Sequence, residues 1–174
     1  AVELAKKYGA DASAGFINGV QSMGVGTSLK HFCANNRENH RRLVDSRVSQ
    51  RALREIYLRG FEIAIKKGKP WALMTAYNLI NGEQASTNWE SITGILRGEW
   101  KYDGIVMTDW WAFSHIEDEL RAGSDVKMPE GFTDIWPKAG PHRTLLQSLG
   151  HGAIERPVLH TAARRILKFM DHFE

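Results

Sequence analysis

The sequence alternates short apolar segments with longer segments of helical periodicity, and this alternation limits the fold more than any other feature. Strand-forming segments occur at residues 25–32, 71–77, 104–108 and 124–128. Helical patterns occur at residues 1–21, 49–67, 88–100, 114–122, 144–149 and from 157 onward. Strands separated by helices, without hairpin signals, favour a parallel sheet with crossover helices. Four such strands fit either a small doubly wound sheet or half of an eight-stranded barrel, and periodicity alone does not choose.

The helix predicted over residues 49–67 has the strongest pattern. Ser49 is a favourable N-cap, and Gly68 followed by Pro70 ends the helix. The predicted apolar face consists of Leu53, Ile56, Tyr57, Phe61 and Ala64. In the same way, Asn88 and Ser114 are predicted to cap the next two helices, and Pro157 begins the last one.

The composition is typical of a globular protein. The chain has 174 residues, of which 43% are apolar and 25% charged, and this excludes a disordered chain. The net charge of +3 is too small to favour nucleic-acid binding. No apolar run approaches the roughly 18 residues of a membrane span, and residues 1–15 lack the apolar core of a signal peptide. We therefore expect no nucleic-acid or membrane partner, while the compartment stays undetermined.

The sequence contains no pattern typical of a metal or cofactor site. His31, His40 and Asp45 have a spacing that fits no compact metal site. The segment 24–26 lacks the third glycine and the following helix of a phosphate-binding loop. The single cysteine, Cys33, cannot form an internal disulfide and is expected to be a buried thiol. We expect neither a metal nor a cofactor.

Polar side chains follow the predicted strands at the points where they end. Lys30 and His31 end the first, Tyr77 the second, and Asp109 with Trp110 the third. If the strands are parallel, these ends meet on the face that carries the active site in α/β barrels. A carboxylate held there by a buried strand, with cations and an aromatic ring nearby, suits attack on a sugar. The interpretation is that Asp109 is a catalytic nucleophile.

Structural alternatives exist for the same residues. An aspartate after a strand is often a turn former or a helix cap. Lys30 and His31 fit an ordinary exposed pair. Trp110 fits a core residue, because most tryptophans of a small domain belong to its core. Local sequence alone leaves these alternatives open.

Several sequence blocks, taken in order, resemble glycoside hydrolase family 3, the β-glucosidase family. The segment from 95 to 99, followed by Gly104-Ile105-Val106-Met107-Thr108-Asp109-Trp110-Trp111-Ala112, resembles the active-site signature of that family. The other blocks are Lys30-His31-Phe32 with Asn35-Asn36, Glu38 and Arg41, then residues 51–58, 74–78 with 81–82, and 122–129. The resemblance extends over nearly the whole chain.

The resemblance implies a role for individual residues. Asp109 matches the nucleophile that forms a covalent glycosyl-enzyme, and Trp110 an aromatic residue that packs against substrate. Tyr77 matches a tyrosine of the same pocket. Lys30, His31 and Arg41 match residues that hold the hydroxyls of the first sugar. Retention of anomeric configuration is implied as well, in agreement with a mechanism that uses two carboxyl groups about 5–5.5 Å apart.

The resemblance also implies an α/β fold, a (β/α)8 TIM-type barrel of which residues 1–174 form only the second half. The expected missing parts are an N-terminal half-barrel and a following domain that supplies the acid/base carboxylate. Lys101 departs from the usual glycine of the family. Residues 33–35 lack the Pro-Gly segment of the β-N-acetylglucosaminidase branch, which is therefore disfavoured.

The predicted function is that of a retaining exo-acting β-glycosidase, foremost a β-glucosidase, with a β-glucoside or oligosaccharide as substrate. A β-xylosidase or broad exo-glycosidase is the sibling alternative. A non-catalytic carbohydrate-binding fragment is the alternative of another class, and a phosphate-handling barrel is disfavoured by the missing glycine loop. We expect the isolated 174 residues to be inactive.

Overall fold

A parallel sheet forms the centre of the computed structural model, which describes residues 9–129 and 144–173. Its strands are β1 (Ser28–Phe32), β3 (Ala72–Thr75) and β6 (Ile105–Met107), in the order β1-β3-β6. All pairs are parallel, with Leu29 beside Leu73 and Leu73 beside Val106. A parallel bridge from Met107 to Val126 continues the sheet. The predicted parallel order of the strands is confirmed, although the fourth strand is reduced to this bridge.

Helices connect the strands as the sequence predicts. The helices, in chain order, are α1 (Ala10–Gln21), α2 (Gln50–Ala52), α3 (Arg59–Gly68), α4 (Ile116–Ala122), α5 (Leu145–Gly150) and α6 (Arg156–Met170). Two further segments, Leu53–Tyr57 and Glu90–Glu99, have π-type hydrogen bonding, and Asp171–Phe173 forms a 3₁₀ turn. Among the described residues, no helix is long and apolar enough to cross a membrane.

The main core lies between the sheet and its connecting helices. Phe32, Leu73 and Val106, one from each strand, are 0% exposed. Phe32 packs edge-to-face against Phe61 of α3, with the ring centres 5.2 Å apart. β3 is buried at every position and β6 is buried at Ile105 and Val106, which fits their largely apolar sequences, whereas Ser28 and Lys30 of β1 are exposed. The core thus holds rigid the strands that end at the polar residues described below.

A short second sheet contradicts the expectation that the chain has no hairpin. β2 (Asp45–Ser46) pairs in parallel with β4 (Leu79–Ile80), which forms an antiparallel hairpin with β5 (Glu83–Gln84). Asn81 and Gly82 both have positive φ angles, of 52° and 93°. An Asn-Gly pair with two positive φ angles is typical of a type I′ hairpin turn. The hairpin signal was present in the sequence and was missed.

The helix predicted over 49–67 is interrupted by the π-type turn Leu53–Tyr57. Ser49 is the N-cap as predicted, since its side chain accepts a hydrogen bond from the Ala52 N–H. Ile56 was predicted on the apolar face but is 69% exposed, whereas Leu58 is 0% exposed. A π-type turn contains more residues than an α-helical turn, so it rotates the following residues around the helix axis.

Three other local predictions have different outcomes. Asn88 accepts a hydrogen bond from the Ser91 N–H at 2.8 Å, as a cap should. Ser114 was predicted to cap α4 but donates to Glu119 instead, and the helix begins two residues later at Ile116. Thr144 forms a capping box with Gln147 at the start of α5. The helix predicted for residues 2–8 lies outside the described residues.

Candidate active site

The three strands bring their polar end residues together at one edge of the sheet. His31 lies near the carboxyl end of β1, Tyr77 follows β3, and Asp109 follows β6. His31 Nε2 lies 3.4 Å from Asp109 Oδ2. The Tyr77 hydroxyl donates a 2.5 Å hydrogen bond to the carbonyl oxygen of Trp110. The predicted convergence of strand ends is therefore present for residues from three strands.

Asp109 is largely enclosed, with 7% exposure, as is Tyr77 with 5%. Its Oδ1 accepts a 2.7 Å hydrogen bond from the Trp110 N–H, which leaves Oδ2 facing His31. The segment that follows Asp109 begins no helix until Ile116. The alternative that Asp109 is a helix N-cap is therefore excluded. Its hydrogen bond to the backbone N–H of the next residue is of the kind that aspartates form in turns.

The charge state of His31 follows from its surroundings. Burial lowers the pKa of His31 from its usual 6.5, and the charges of Lys30 and Arg41 lower it further, whereas the Asp109 carboxylate opposes the shift. Because the usual value already lies below 7, a lowered pKa favours the neutral imidazole at pH 7. A neutral imidazole has one N–H donor and one acceptor nitrogen. His31 can therefore hydrogen-bond either the carboxylate or a sugar hydroxyl.

Tyr77 links the site to the segment that carries Asp109. Burial raises the pKa of Tyr77, and the nearby Asp109 carboxylate raises it further, so the phenol keeps its proton at neutral pH. The hydroxyl is therefore a hydrogen-bond donor, consistent with its short contact to the Trp110 carbonyl. This bond ties the end of β3 to the turn after β6.

Trp110 and Trp111 lie at the surface of the site. They are 46% and 41% exposed, and their rings meet edge-to-face with centres 5.8 Å apart. The alternative that Trp110 belongs to the core is wrong, because nearly half of its surface contacts solvent. An exposed indole beside a carboxylate offers an apolar face to a sugar ring.

Lys30 and Arg41 lie at the rim rather than against Asp109. Both are exposed, and Arg41 pairs with Glu38 at 3.2 Å. The Arg41 guanidinium also lies over the Tyr77 ring, 5.0 Å from its centre. Lys30 and Arg41 are close enough to lower the pKa of His31. Their predicted contact with sugar hydroxyls stays a prediction.

The sequence interpretation missed Arg42 and the residues that support the Asp109 segment. The Arg42 guanidinium lies 4.8 Å from the centre of the Tyr77 ring. Behind Asp109, Thr108 accepts a hydrogen bond from the Met128 N–H at 2.9 Å, and the Trp111 N–H donates to the Met128 carbonyl at 2.8 Å. Arg42 stands in the basic segment from Arg37 to Arg47, and its adjacency to Arg41 was the available signal.

Two other polar residues near strand ends, Asn78 and Asp125, have structural partners. Asn78 is 0% exposed and donates to the carbonyl oxygens of Cys33 and Leu79. Asp125 forms ion pairs with Arg97 and Arg165. Neither side chain is a partner of Asp109 in the described structure.

The described part of the chain holds no group of three or more His, Cys, Asp or Glu side chains arranged to bind a metal ion. The single thiol is enclosed, because Cys33 is 0% exposed and burial raises its pKa to about 12. The predicted buried state of this cysteine is confirmed. A thiol with such a raised pKa is protonated at neutral pH and is a poor nucleophile.

Comparison with known sequences identifies similar proteins over most of the chain. The family described as the glycosyl hydrolase family 3 N terminal domain matches residues 6–169. Thermostable beta-glucosidase B of Acetivibrio thermocellus is 43% identical over 160 residues, covering 91% of this chain and 20% of that protein. An exo-alpha-(1->6)-L-arabinopyranosidase of Bifidobacterium longum is 52% identical over 120 residues, covering 69% of this chain and 16% of that protein. The chain thus spans about a fifth of these relatives.

Solved structures show the same similarity in three dimensions. Beta-glucosidase 3B from Thermotoga neapolitana in complex with glucose superposes with a TM-score of 0.88 at 43% identity, covering 94% of this chain and 23% of that one. Its complex with glycerol gives a TM-score of 0.89. The α/β fold is therefore similar to the TIM-barrel-like N-terminal domain of that family. With the family match over residues 6–169, these similarities establish that the chain belongs to glycoside hydrolase family 3.

Proposed function

We propose that this chain carries the nucleophile of a retaining, exo-acting β-glucosidase that hydrolyses terminal β-D-glucosyl residues. The observation that supports this most is the placement of Asp109, 7% exposed at the end of a buried strand with one carboxylate oxygen facing His31 at 3.4 Å. The name and glucose complex of the Thermotoga relative agree with a glucosyl substrate. Family membership supports the class of reaction, and the site geometry supports Asp109 as the residue that attacks.

In the proposed reaction an Asp109 carboxylate oxygen attacks the anomeric carbon. The bond from this carbon to the leaving-group oxygen breaks, and that oxygen receives a proton from a carboxylic acid. Water then attacks the glycosyl-enzyme, gives its proton to the same carboxylate, and releases the sugar with its configuration retained. Within the described residues, no second carboxyl group contacts Asp109. We propose, as the family resemblance implies, that the acid/base carboxylate comes from a following domain.

The remaining residues are proposed to bind the sugar. His31, Lys30 and Arg41 supply donors for hydroxyl groups, while Tyr77 fixes the pocket wall and Trp110 packs on a C–H face of the ring. Buried or clustered hydrogen-bond donors can stabilise developing charge at the reaction centre. His31 is the member of this set that directly faces Asp109.

The second candidate is a broad exo-glycosidase that also accepts pentopyranosides, including β-xylosides. The arabinopyranosidase relative, at 52% identity, favours it because an arabinopyranose lacks the hydroxymethyl group of glucose. Initial rates on aryl β-glucoside, β-xyloside and α-L-arabinopyranoside distinguish the two. A preference of at least tenfold for the glucoside in kcat/KM supports the β-glucosidase.

We further propose that the 174 residues correspond to the second half of a catalytic barrel and are inactive alone. The sheet order β1-β3-β6 leaves the outer edge of β1 without a pairing strand among the described residues. An unpaired edge of this kind invites association with another strand. Turnover of an aryl β-glucoside by the isolated chain contradicts this proposal. Sugar binding by that chain without turnover instead supports the alternative of a non-catalytic carbohydrate-binding fragment.

The nucleophile is tested by trapping it in the native protein that contains this chain. A 2-deoxy-2-fluoro-β-glucoside with a good leaving group should inactivate the protein and add one fluoroglucosyl group to the peptide carrying Asp109. The Asp109→Ala variant should lose roughly 10³-fold or more in kcat. Azide should restore turnover by giving the α-glucosyl azide.

Two outcomes contradict the assignment of the nucleophile. One is labelling of a different carboxylate, and the other is an Asp109→Ala variant with near-normal kcat. An Asp118→Ala variant is the matched control, because Asp118 is exposed and pairs with Arg121 on the surface of α4. This variant should keep normal activity and should still be labelled at Asp109.

A further inference from the structure

We propose that Arg42 selects glycosides whose leaving group carries an anion, such as a carboxylate, and that it is a specificity-determining residue. This inference rests on the proposed function, because it concerns the leaving-group side of the same site. Arg42 contributes no covalent step. It would bind the aglycone before the glycosidic bond breaks and release it afterwards.

Arg42 lies among three aromatic rings beside the nucleophile. Its guanidinium carbon is 4.8 Å from the ring centre of Tyr77, 5.6 Å from that of Phe113 and 5.9 Å from that of Trp111. Guanidinium groups within about 6 Å of an aromatic centre are attracted to the ring face. Three rings therefore restrict where the charged group can lie, and this reduces the entropy that binding must remove.

The charge of Arg42 is not neutralised by a carboxylate in the described structure. Of its basic neighbours in sequence, Arg41 pairs with Glu38 at 3.2 Å and Arg47 with Asp45 at 2.9 Å. Within residues 9–129 and 144–173, Arg42 forms no ion pair. Contact with ring faces leaves N–H donors at the edge of the guanidinium plane for another acceptor. Even with one hydrogen bond to the Tyr77 side chain, the Arg42 guanidinium keeps further N–H donors that no described carboxylate accepts.

The position of Arg42 assigns it to the leaving group rather than to the sugar that reacts with Asp109. Asp109 is 7% exposed, whereas Trp111, which Arg42 contacts, is 41% exposed. Tyr77 connects Arg42 to the segment that carries Asp109. The Arg42 guanidinium lies over the Tyr77 ring, and the Tyr77 hydroxyl donates to the Trp110 carbonyl. In an exo-acting enzyme the terminal sugar occupies the enclosed end and the leaving group the open end. Arg42 is therefore on the side that the aglycone must occupy.

A carboxylate suits this group better than a neutral hydroxyl. The planar fork of arginine matches the two oxygens of a carboxylate, sulfate or phosphate, and such charge-assisted bonds are stronger than neutral ones. The nearby Arg41, 5.0 Å from the same Tyr77 ring, adds positive charge. Both features favour an anionic aglycone over a neutral one of the same shape.

The test compares 4-carboxyphenyl β-glucoside with its methyl ester in the native protein that contains this chain. The readout is the ratio of kcat/KM for the acid to that for the ester, so that effects common to both substrates cancel. Arg42→Gln should lower this ratio roughly fivefold, the loss expected for a partly exposed ion pair. Arg42→Lys should keep part of the preference, since it keeps the charge but not the fork. In wild type, about 1 M NaCl should lower the ratio too, because salt screens the pair.

Arg51→Gln is the matched control, because this arginine is 83% exposed and pairs with Glu55 on a different surface. It should leave the ratio unchanged. An unchanged ratio in Arg42→Gln overturns the inference while leaving the proposed function intact. An equal loss on both substrates also overturns it, because Arg42 then supports the reaction centre instead. Hydrolysis of neither substrate by wild type overturns the β-glucosidase proposal and this inference with it.

Discussion

Replacing Asp125 by alanine should be among the most destabilising single changes in this chain. The Asp125 side chain is 0% exposed and accepts three hydrogen bonds. Oδ2 accepts from Arg97 at 2.6 Å and from the Val106 N–H at 2.8 Å, while Oδ1 accepts from Arg165 at 3.1 Å. The carboxylate thus connects β6, the π-type helix and α6. Its removal breaks all three connections together.

The magnitude follows from the charge that is left behind. Arg97 has only 8% of its side chain exposed, so without Asp125 its guanidinium becomes a buried charge with no carboxylate partner among its described contacts. Breaking a buried ion pair in this way costs about 3–5 kcal/mol. That is a large part of the roughly 5–15 kcal/mol by which domains are usually stable. Asp125→Asn should cost less, because it keeps the shape and one acceptor oxygen.

The assay is urea unfolding of the native protein, followed by circular dichroism, with Asp103→Ala as the matched control. Asp103 makes the same type of ion pair, with Lys168, but its side chain is 75% exposed. Its loss should cost about 0–1 kcal/mol. The free energy of unfolding of Asp125→Ala should therefore lie at least about 2 kcal/mol below that of Asp103→Ala. Equal stabilities of these two variants would refute the reasoning.

Four further substitutions test other parts of the structure. Tyr77→Phe removes the 2.5 Å hydrogen bond to the Trp110 carbonyl. The kcat on an aryl β-glucoside should therefore fall up to about tenfold. An unchanged kcat would show that this hydrogen bond does not position the site. Burial raises the pKa of Glu119 from 4.5 to about 7, so the folded state binds more protons than the unfolded state between these two pH values. The contribution of Glu119 to stability therefore falls as the pH rises through this range. Glu119→Gln should flatten that part of the Tm–pH curve, and an unaltered slope would contradict the shift. A Cβ on Gly104 would lie 2.6 Å from a backbone oxygen, so Gly104→Ala should lower the free energy of unfolding by about 1–3 kcal/mol. Gly19 has open space around it inside α1, so Gly19→Ala should raise the free energy of unfolding by about 0.5–1 kcal/mol. Thermal unfolding measures both changes.

The strand and helix order was predictable because it depends on local patterns. The apolar run before Asp109 needed cover on both faces, and only crossover helices in a parallel arrangement supply it. Local signals also predicted the caps at Ser49 and Asn88, which hold in the structure. The hairpin at Asn81-Gly82 was equally local, and the sequence interpretation overlooked it.

The interruption of the helix after Ala52 was not predictable from periodicity. Leu53, Ile56 and Tyr57 fit an α-helical face by spacing, yet a π-type turn exposes Ile56 and buries Leu58. Leu53, at the start of this turn, and Leu58, just after it, both belong to the main core. Tertiary contacts routinely override such weak local preferences.

The sequence by itself determined the family, the parallel α/β order and the strand end at which Asp109 stands, because these depend on residue types at fixed spacings. Only the tertiary structure decided which side chains meet there. It brings His31 to 3.4 Å from Asp109, leaves Arg41 at the rim, and holds Arg42 over Tyr77. Asp125, which also stands near a strand end, is directed into an ion-pair network instead. The physical reason is that distances between side chains far apart in sequence depend on how the strands pair and how the helices pack, which no local pattern encodes.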